Sequence, residues 1–414
     1  MKLTFSIFKI NYYLANINAI LLLVGYSLYT SLIFGVVDFV DPAEIRKYSI
    51  IYRAFVLLIS LILILLNIKK KYIKNQNIIV FSIFWILFIC RIIYDLFIRP
   101  SEIPPSITSY LFQFIFGGVL IPTFAIYKSQ KYLNLKLIYY CVFISLFLVI
   151  LKGVILNIIF TAIGFVGRAQ MNVAQSTLTF GSFGGLLTLI SYSKIISKDS
   201  KFRFKIILYV SFLLGLYAVA IAASRGPLFS LVITLLAGFY SKNIISAVKY
   251  TTVFLFTGIL FGNLILNLFE SYFPVIYNRT LSTLVGKSLG GRESIFDQAI
   301  TQSLENPFFG DWFLLDRSDA TSIAHNAFLQ SLMSLGFIGL ILNVILYFIL
   351  FKAAIKIIKT YSIYSFWGYS TIFFMIYSLT TGGSLYIKPD FNFAFLILLI
   401  ISNKSSKLYK DVYA

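Results

Sequence analysis

Long stretches of this chain carry no charged side chain, and they constrain its fold more than any other feature. Val56 to Asn67, Ile78 to Cys90 and Ile206 to Ala223 are examples. With their flanks, most such stretches reach the roughly 17 to 25 residues that cross the hydrocarbon core of a bilayer as a helix. They must form helices, because lipid offers no hydrogen-bond partner to a bare peptide group. Only 12 % of the residues are charged and 59 % are hydrophobic, so a soluble surface could not be covered.

Apolar runs separated by polar or basic breaks predict about twelve transmembrane helices. Their centres lie near Val24, Ser60, Leu87, Gly117, Leu148, Gly185, Leu214, Ile233, Gly258, Gly339, Phe373 and Ala394. We therefore predict an all-α polytopic membrane protein in which residues 1–414 form a single transmembrane domain. Between the ninth and tenth helices, residues 269–324 are predicted to form one large outward loop. Loops of this length tend to be functional.

Lysine and arginine divide unequally between the two sides of the predicted helices. If the N-terminus is cytoplasmic, every cytoplasmic segment is basic, with lysines such as Lys70, Lys128 and Lys356. By the positive-inside rule, this excess favours both termini in the cytoplasm. It also accounts for the net charge of +20 without nucleic-acid binding, for which no soluble domain remains.

The outward segments carry mainly arginine in place of lysine: Arg168, Arg225, Arg279, Arg292 and Arg317. Guanidinium groups bind phosphate oxygens in pairs and keep their charge, so the set predicts a site for a phosphate-bearing substrate. Three of these arginines adjoin glycine, which permits a close backbone approach to a ligand. The alternative is that each arginine snorkels to the interface or pairs with an acidic side chain.

His325 is the only histidine of the chain, and it lies where the large loop re-enters the membrane. Histidine titrates near neutral pH and can take a proton from a hydroxyl group. The alternative is a structural role at a helix end.

Acidic residues offer a rival chemistry, because paired carboxylates could hold a divalent metal beside a diphosphate. The candidates are Asp38, Asp41, Asp311, Asp316 and Asp319, but their spacing matches no specific ligand pattern, and we predict no metal site.

Arg91 and Asp95 lie four residues apart in the third predicted helix. This spacing places them on one helix face and predicts an ion pair inside the protein. A proton or ion pathway would need more such groups within the membrane.

Several motifs resemble the signature block of the O-antigen ligase and O-antigen polymerase superfamily. They are Gly290-Gly291-Arg292-Glu293-Ser294-Ile295-Phe296, then Asn306-Pro307-Phe308-Phe309-Gly310, and then His325-Asn326 with Gly336 and Gly339. Ser224-Arg225-Gly226 resembles the arginine of that family at the outer start of a middle helix. Gly167-Arg168 followed by Asn172 resembles its earlier arginine segment. The likeness covers residues 164–340, whereas the first five helices match only in number and hydropathy.

The resemblance implies a glycosyltransferase of the GT-C type in the bacterial inner membrane, with its active site facing the periplasm. Such enzymes move a glycan from undecaprenyl diphosphate to a sugar hydroxyl without a metal or another cofactor. It implies that Arg225 and Arg292 hold the diphosphate, and that His325 deprotonates the acceptor hydroxyl. It also implies that Arg168, Arg279 and Asn326 bind substrate.

The expected function is O-antigen polymerase, which transfers a growing chain onto a new lipid-linked repeat unit. The close alternative is O-antigen ligase, which delivers the finished polymer to lipid A-core and shares the fold and the donor. The polymerase is favoured because the polymerases of the superfamily are numerous and divergent, and the chain matches the shared motifs in part. The expected partners are membrane lipid, lipid-linked oligosaccharide and a chain-length regulator protein. A transporter of the lipid-linked repeat is a third interpretation, which would need polar groups at midplane depth.

Overall fold

A computed structural model describes residues 2–35, 42–68, 76–98, 111–162, 168–172, 174–197, 202–242, 293–313, 324–360, 362–380 and 389–413, with short pieces between 248 and 281. In these ranges all regular structure is helical. The α-helices are α1 (Lys2–Ile20), α2 (Tyr26–Ile33), α3 (Pro42–Asn67), α4 (Gln76–Ile98), α5 (Ile121–Ser129), α6 (Leu135–Ala162), α7 (Thr177–Ile195), α8 (Phe202–Ile221), α9 (Arg225–Lys242), α10 (Glu293–Glu305), α11 (Ala327–Ile358), α12 (Ser365–Thr380) and α13 (Pro389–Tyr413). Leu21–Gly25 and Leu111–Leu120 are π-helical and lead directly into α2 and α5.

Five helical stretches are long and apolar enough to cross a membrane. They are Ile7–Ile33, Glu44–Asn67, Asn77–Ile98, Leu135–Ala162 and Ala327–Ile358. The predicted class, a helical membrane protein, is therefore confirmed. Each predicted helix centre falls within a helix except Gly258, which lies outside the described residues. The total of about twelve spans stays a prediction.

Helices α12 and α13 form the centre of the bundle. Their fully buried aromatic side chains are Phe366, Trp367, Tyr369, Phe373, Phe374, Phe391, Phe393 and Phe395. A helix that is apolar and buried on all sides belongs in the interior, and α12 packs against α7, α9, α11 and α13. By contrast, α3 and α8 expose large apolar side chains such as Phe55 and Leu213, as lipid-facing helices do.

The two ends of the bundle carry different basic side chains, arginine at one end and lysine at the other. At one end, named here the arginine end, α7, α9 and α11 begin and α12 stops. Two hydrogen bonds join these termini: Tyr377 of α12 donates to the carbonyl of Leu178 at 3.4 Å, and Asn326 donates to the carbonyl of Leu379 at 3.1 Å. At the opposite end, a cavity is lined by Lys131 together with residues at the starts of α6 and α12.

Candidate functional site

Two of the arginine segments meet at the arginine end. Arg168 donates from Nη2 to the Ser224 hydroxyl at 2.6 Å and from Nε to the carbonyl of Ala222 at 3.3 Å. The backbone N–H of Ala169 donates to the carbonyl of Ile221 at 3.1 Å. Because Arg225 follows Ser224 and begins α9, the two arginines sit at neighbouring positions although they are far apart in sequence.

The turn between α8 and α9 is strained at the point where Arg168 binds it. Ala223 has a φ of 49°, a left-handed conformation that non-glycine residues rarely adopt. This conformation accompanies the chain reversal that lets Arg168 reach Ala222 and Ser224. Backbone strain of this kind clusters at functional sites. The helix that starts here also presents the positive end of its dipole, which favours an anion.

The described residues between Arg168 and Ser176, which leave out Val173, are irregular, and side chains from other helices bind some of their polar groups. Asn157 of α6 donates to the carbonyl of Gln170 at 2.9 Å. Asn172 donates to the hydroxyls of Ser31 at 3.1 Å and Thr30 at 3.3 Å, both on α2. Non-helical backbone in a membrane protein is tolerated where it is buried in protein in this way. The segment is therefore fixed at both ends, by α2 and by the α8–α9 turn.

His325 and Asn326 form the entrance to α11. The side-chain oxygen of Asn326 accepts hydrogen bonds from the N–H groups of Phe328 at 2.9 Å and Leu329 at 3.1 Å, as an N-cap does. His325 has a φ of 50°, so the chain turns sharply just before the helix. Its imidazole is half-buried, with Nδ1 shielded from solvent. The cap and the turn thus fix the backbone from which the histidine projects.

Gln330, one turn into α11, holds the segment that leads to His325. Its side-chain oxygen accepts from the N–H of Ala324 at 2.9 Å, and its side-chain nitrogen donates to the carbonyl of Phe313 at 2.7 Å. Gln330 is buried. It therefore joins the two ends of residues 314–323, which lie outside the described residues.

Helix α11 is broken at Gly336, where φ is 64° and ψ is −158°. In an unbroken helix the N–H of Phe337 would donate to the carbonyl of Met333. Here Phe337 donates to the carbonyl of Pro307 at 2.8 Å, and the Met333 carbonyl accepts from the N–H of Asp311 at 2.9 Å. The turn 306–313 thus supplies both partners that the break removes.

Glycine is required on both sides of this junction. Gly310 has a φ of 76°, and a Cβ on it would overlap the backbone of Ser334. A Cβ on Gly336 would overlap the backbone of Phe308. Gly310 therefore lies against the backbone of α11, and Gly336 lies against the backbone of the turn 306–313. These two close contacts bring the Asn306–Gly310 motif onto the helix that follows His325.

The predicted ion pair between Arg91 and Asp95 is confirmed, with a nitrogen–oxygen distance of 2.9 Å and both side chains nearly or fully buried. Each partner also binds the turn 306–313. Arg91 donates to the carbonyl of Gly310 at 2.9 Å, and Asp95 accepts from the N–H of Phe313 at 3.2 Å. The pair on α4 thus anchors the turn that fills the break in α11.

Four of the sequence-predicted site residues, Arg168, Arg225, His325 and Asn326, lie at the arginine end. Helix α9, which begins with Arg225, packs against both α11 and α12. Arg279 and Arg292 lie outside the described residues, as do Arg317, Asp38, Asp41, Asp316 and Asp319. Asp311 is buried and accepts a hydrogen bond from Asn306 at 3.3 Å. Among the described residues, no group of three His, Cys, Asp or Glu side chains could hold a metal ion.

Sequence reasoning did not identify the supporting role of Gln330. The sequence carries a signal for this role, because Gln330, Ser331 and Ser334 place polar side chains in the first turns of an apolar helix. All three are buried. Buried polar side chains in a membrane helix mark polar partners inside the protein.

Comparison of the chain with models of known protein families gives no match, and no curated protein matches it. The likeness to the O-antigen ligase and polymerase superfamily therefore rests on the short sequence motifs alone.

Proposed function

We propose that the chain is a membrane glycosyltransferase with a GT-C-like fold, and that it acts as an O-antigen polymerase. The single observation that carries the proposal is the hydrogen bond from Arg168 to Ser224. It brings a guanidinium to the start of the helix that Arg225 begins. His325, which can act as a base, stands at the start of a neighbouring helix at the same end of the bundle.

The donor in this proposal is an oligosaccharide on undecaprenyl diphosphate. As the bond between the anomeric carbon and the diphosphate oxygen breaks, negative charge develops on the leaving diphosphate. The guanidinium groups of Arg168 and Arg225 and the N-terminus of α9 stabilise that charge, because fixed positive groups need no reorganisation during the reaction. Arg292, and Arg279 more weakly, complete the set by the family resemblance.

The acceptor is a sugar hydroxyl of a second lipid-linked repeat unit. His325 takes the hydroxyl proton as the oxygen forms its bond to the anomeric carbon. Attack opposite the leaving diphosphate inverts that carbon. The proton on His325 and the free polyprenyl diphosphate balance the step, and no metal takes part.

The proposed location is the bacterial inner membrane, with the arginine end facing the periplasm and both termini in the cytoplasm. Lys194 in the last turn of α7 and Lys356 in the last turn of α11 support this orientation, because lysine accumulates on the cytoplasmic side.

The test is His325→Ala in a strain that lacks the chromosomal copy. The variant should reach the membrane in normal amount and make no long polysaccharide, because the acceptor hydroxyl has no base. Phe309→Ala, on an exposed side chain of the turn 306–313, is the control and should make normal polymer. Normal polymer from His325→Ala would overturn the assignment.

The lipopolysaccharide of a deletion strain separates the polymerase from its rivals. Core bearing one repeat unit is the expected result. Bare core with accumulated lipid-linked polymer would instead identify a ligase, and an accumulation of single repeat units on the cytoplasmic face would identify a transporter.

A further inference from the structure

A second cavity, of about 380 Å³, lies beside the arginine end. The irregular segment 168–176 connects it to the candidate site. Arg168, at the start of that segment, contacts the α8–α9 turn, whereas Gln175 and Ser176, at its end, line the cavity. A ligand in this cavity would therefore be separated from the arginines by a few residues of chain.

Both π-helical stretches of the described chain line this cavity. Leu21 to Val24 of the first stretch and Gly118 and Val119 of the second lie in its wall. π-Helices are rare and occur frequently at functional sites. The Tyr52 hydroxyl donates to the carbonyl of Leu21 at 2.7 Å and so supports the first stretch. The coincidence of two such stretches indicates that the cavity is built for a ligand.

The walls of the cavity combine apolar and polar chemistry. Leu22, Val56 and Phe183 form apolar surface, whereas Arg53, Gln175 and Asp390 contribute a guanidinium, an amide and a carboxylate. A sugar fits both parts of the wall, since its ring has apolar C–H faces and its hydroxyl groups both donate and accept hydrogen bonds. The volume lies in the range of pockets that bind small ligands.

An aromatic row leads from the end of α2 into the cavity. Its rings, from the end inward, are Phe34, Tyr48, Tyr29, Tyr52 and Tyr26, with successive centroids 5.3, 6.5, 5.6 and 5.3 Å apart. The four tyrosines, named here the tyrosine track, are partly exposed. Tyr52 and Tyr26 line the cavity itself. Tyrosine offers a flat apolar face together with a polar hydroxyl, and successive sugar rings need both.

We propose that the cavity and the tyrosine track bind the oligosaccharide of the acceptor substrate. This inference rests on the proposed function, and it names the place where the second repeat unit sits before its hydroxyl is deprotonated. The track holds successive sugars along α2 and α3, and the cavity holds one sugar against Gln175 and Asp390.

The first test fills the cavity without changing its polar groups. Val56→Phe adds bulk at a buried cavity position, and Leu58→Phe places the same phenyl ring at an exposed position of the same helix. The probe is the free repeat-unit oligosaccharide, released from the polysaccharide of the host strain, labelled and titrated onto the purified protein in lipid nanodiscs. Val56→Phe should weaken binding by about ten-fold or more, equivalent to about 1.4 kcal/mol, whereas Leu58→Phe should bind as the wild type does.

A second pair of variants covers the case in which Val56→Phe does not fold. Tyr29→Ala removes a partly exposed ring of the track, and Leu32→Ala shortens an exposed side chain one turn further along α2. Tyr29→Ala should weaken oligosaccharide binding, and Leu32→Ala should not. Equal binding by Tyr29→Ala, Leu32→Ala and the wild type would overturn the proposal, as would a phospholipid found in the cavity of the purified protein.

The His325→Ala variant separates this proposal from the proposed function. It should bind the oligosaccharide normally while making no polymer. If His325→Ala makes normal polymer but Tyr29→Ala loses oligosaccharide binding, the catalytic proposal fails and the binding site stands. If His325→Ala is inactive and all cavity and track variants bind normally, the acceptor site fails and the catalytic proposal stands.

Discussion

Arg168 donates a hydrogen bond of 2.6 Å to Ser224, which lies 56 residues further along the chain. The contact fixes one guanidinium relative to the start of α9, where Arg225 stands. Arginine suits this position, because its planar group presents several donors in fixed directions. One of them reaches Ser224 and another reaches the carbonyl of Ala222.

Arg168→Lys should lower polymer formation by about ten-fold or more, because an ammonium cannot keep two charge-assisted hydrogen bonds in place and still face a diphosphate. The measurement is the amount and length of polysaccharide made at equal protein level. Arg46→Lys, an exposed arginine on α3, is the matched control and should have no effect. Normal polymer from Arg168→Lys would show that the planar guanidinium is not required at this position.

Gly310→Ala and Gly336→Ala should each destabilise the protein by more than about 1 kcal/mol, because each glycine has a positive φ and faces another backbone segment. Thermal unfolding in detergent measures the effect. Phe309→Ala, on an exposed side chain between the two contacts, should leave the unfolding temperature unchanged. An unchanged unfolding temperature for both glycine variants would mean that the turn does not insert into α11.

Asp95→Ala should destabilise the protein by about 3 to 5 kcal/mol, because it leaves the Arg91 charge buried without its partner. The double variant Arg91→Met with Asp95→Leu removes both charges and should recover part of that loss. Recovery should be incomplete, since the carbonyl of Gly310 and the N–H of Phe313 also lose their partners. Complete recovery of the unfolding temperature would indicate that the pair does not anchor the turn.

Asn326→Ala removes the cap of α11 and should cost about 0.5 to 2 kcal/mol. Asn326→Asp keeps an acceptor for the N–H groups of Phe328 and Leu329, so its unfolding temperature should stay near that of the wild type. It loses the donor to Leu379, however, and it places a negative charge at the arginine end. Polymer formation should therefore fall in the Asp variant although stability does not. Equal loss of stability in both variants would show that the contact with Leu379 matters more than the cap.

The sequence predicts the class of fold and the ion pair between Arg91 and Asp95, for physical reasons that differ. Charge-free runs such as Val56 to Asn67 predict helices because lipid allows no alternative. The ion pair of Arg91 and Asp95 follows from helical periodicity. The junction between Gly310 and Gly336 does not, because a pairing of two distant backbone segments leaves no periodic trace in the residues between them.

The same limit applies to the cavity. Tyr26, Tyr29, Tyr48 and Tyr52 are ordinary residues of apolar helices when taken singly. They form a row only because α2 and α3 pack side by side. The π-helical stretches leave no pattern in the sequence either, because their wider backbone depends on contacts such as the hydrogen bond from the Tyr52 hydroxyl to the carbonyl of Leu21.

The break in α11 also bears on how the protein is made. Without the turn 306–313 in place, α11 alone in the bilayer is most stable as an unbroken helix, in which the N–H of Phe337 donates to the carbonyl of Met333. The helix can break at Gly336 only when the turn 306–313, which α4 anchors, supplies new partners for the N–H of Phe337 and the carbonyl of Met333. The break in α11 therefore depends on α4, whose Arg91 lies 219 residues before the Gly310 carbonyl that it binds.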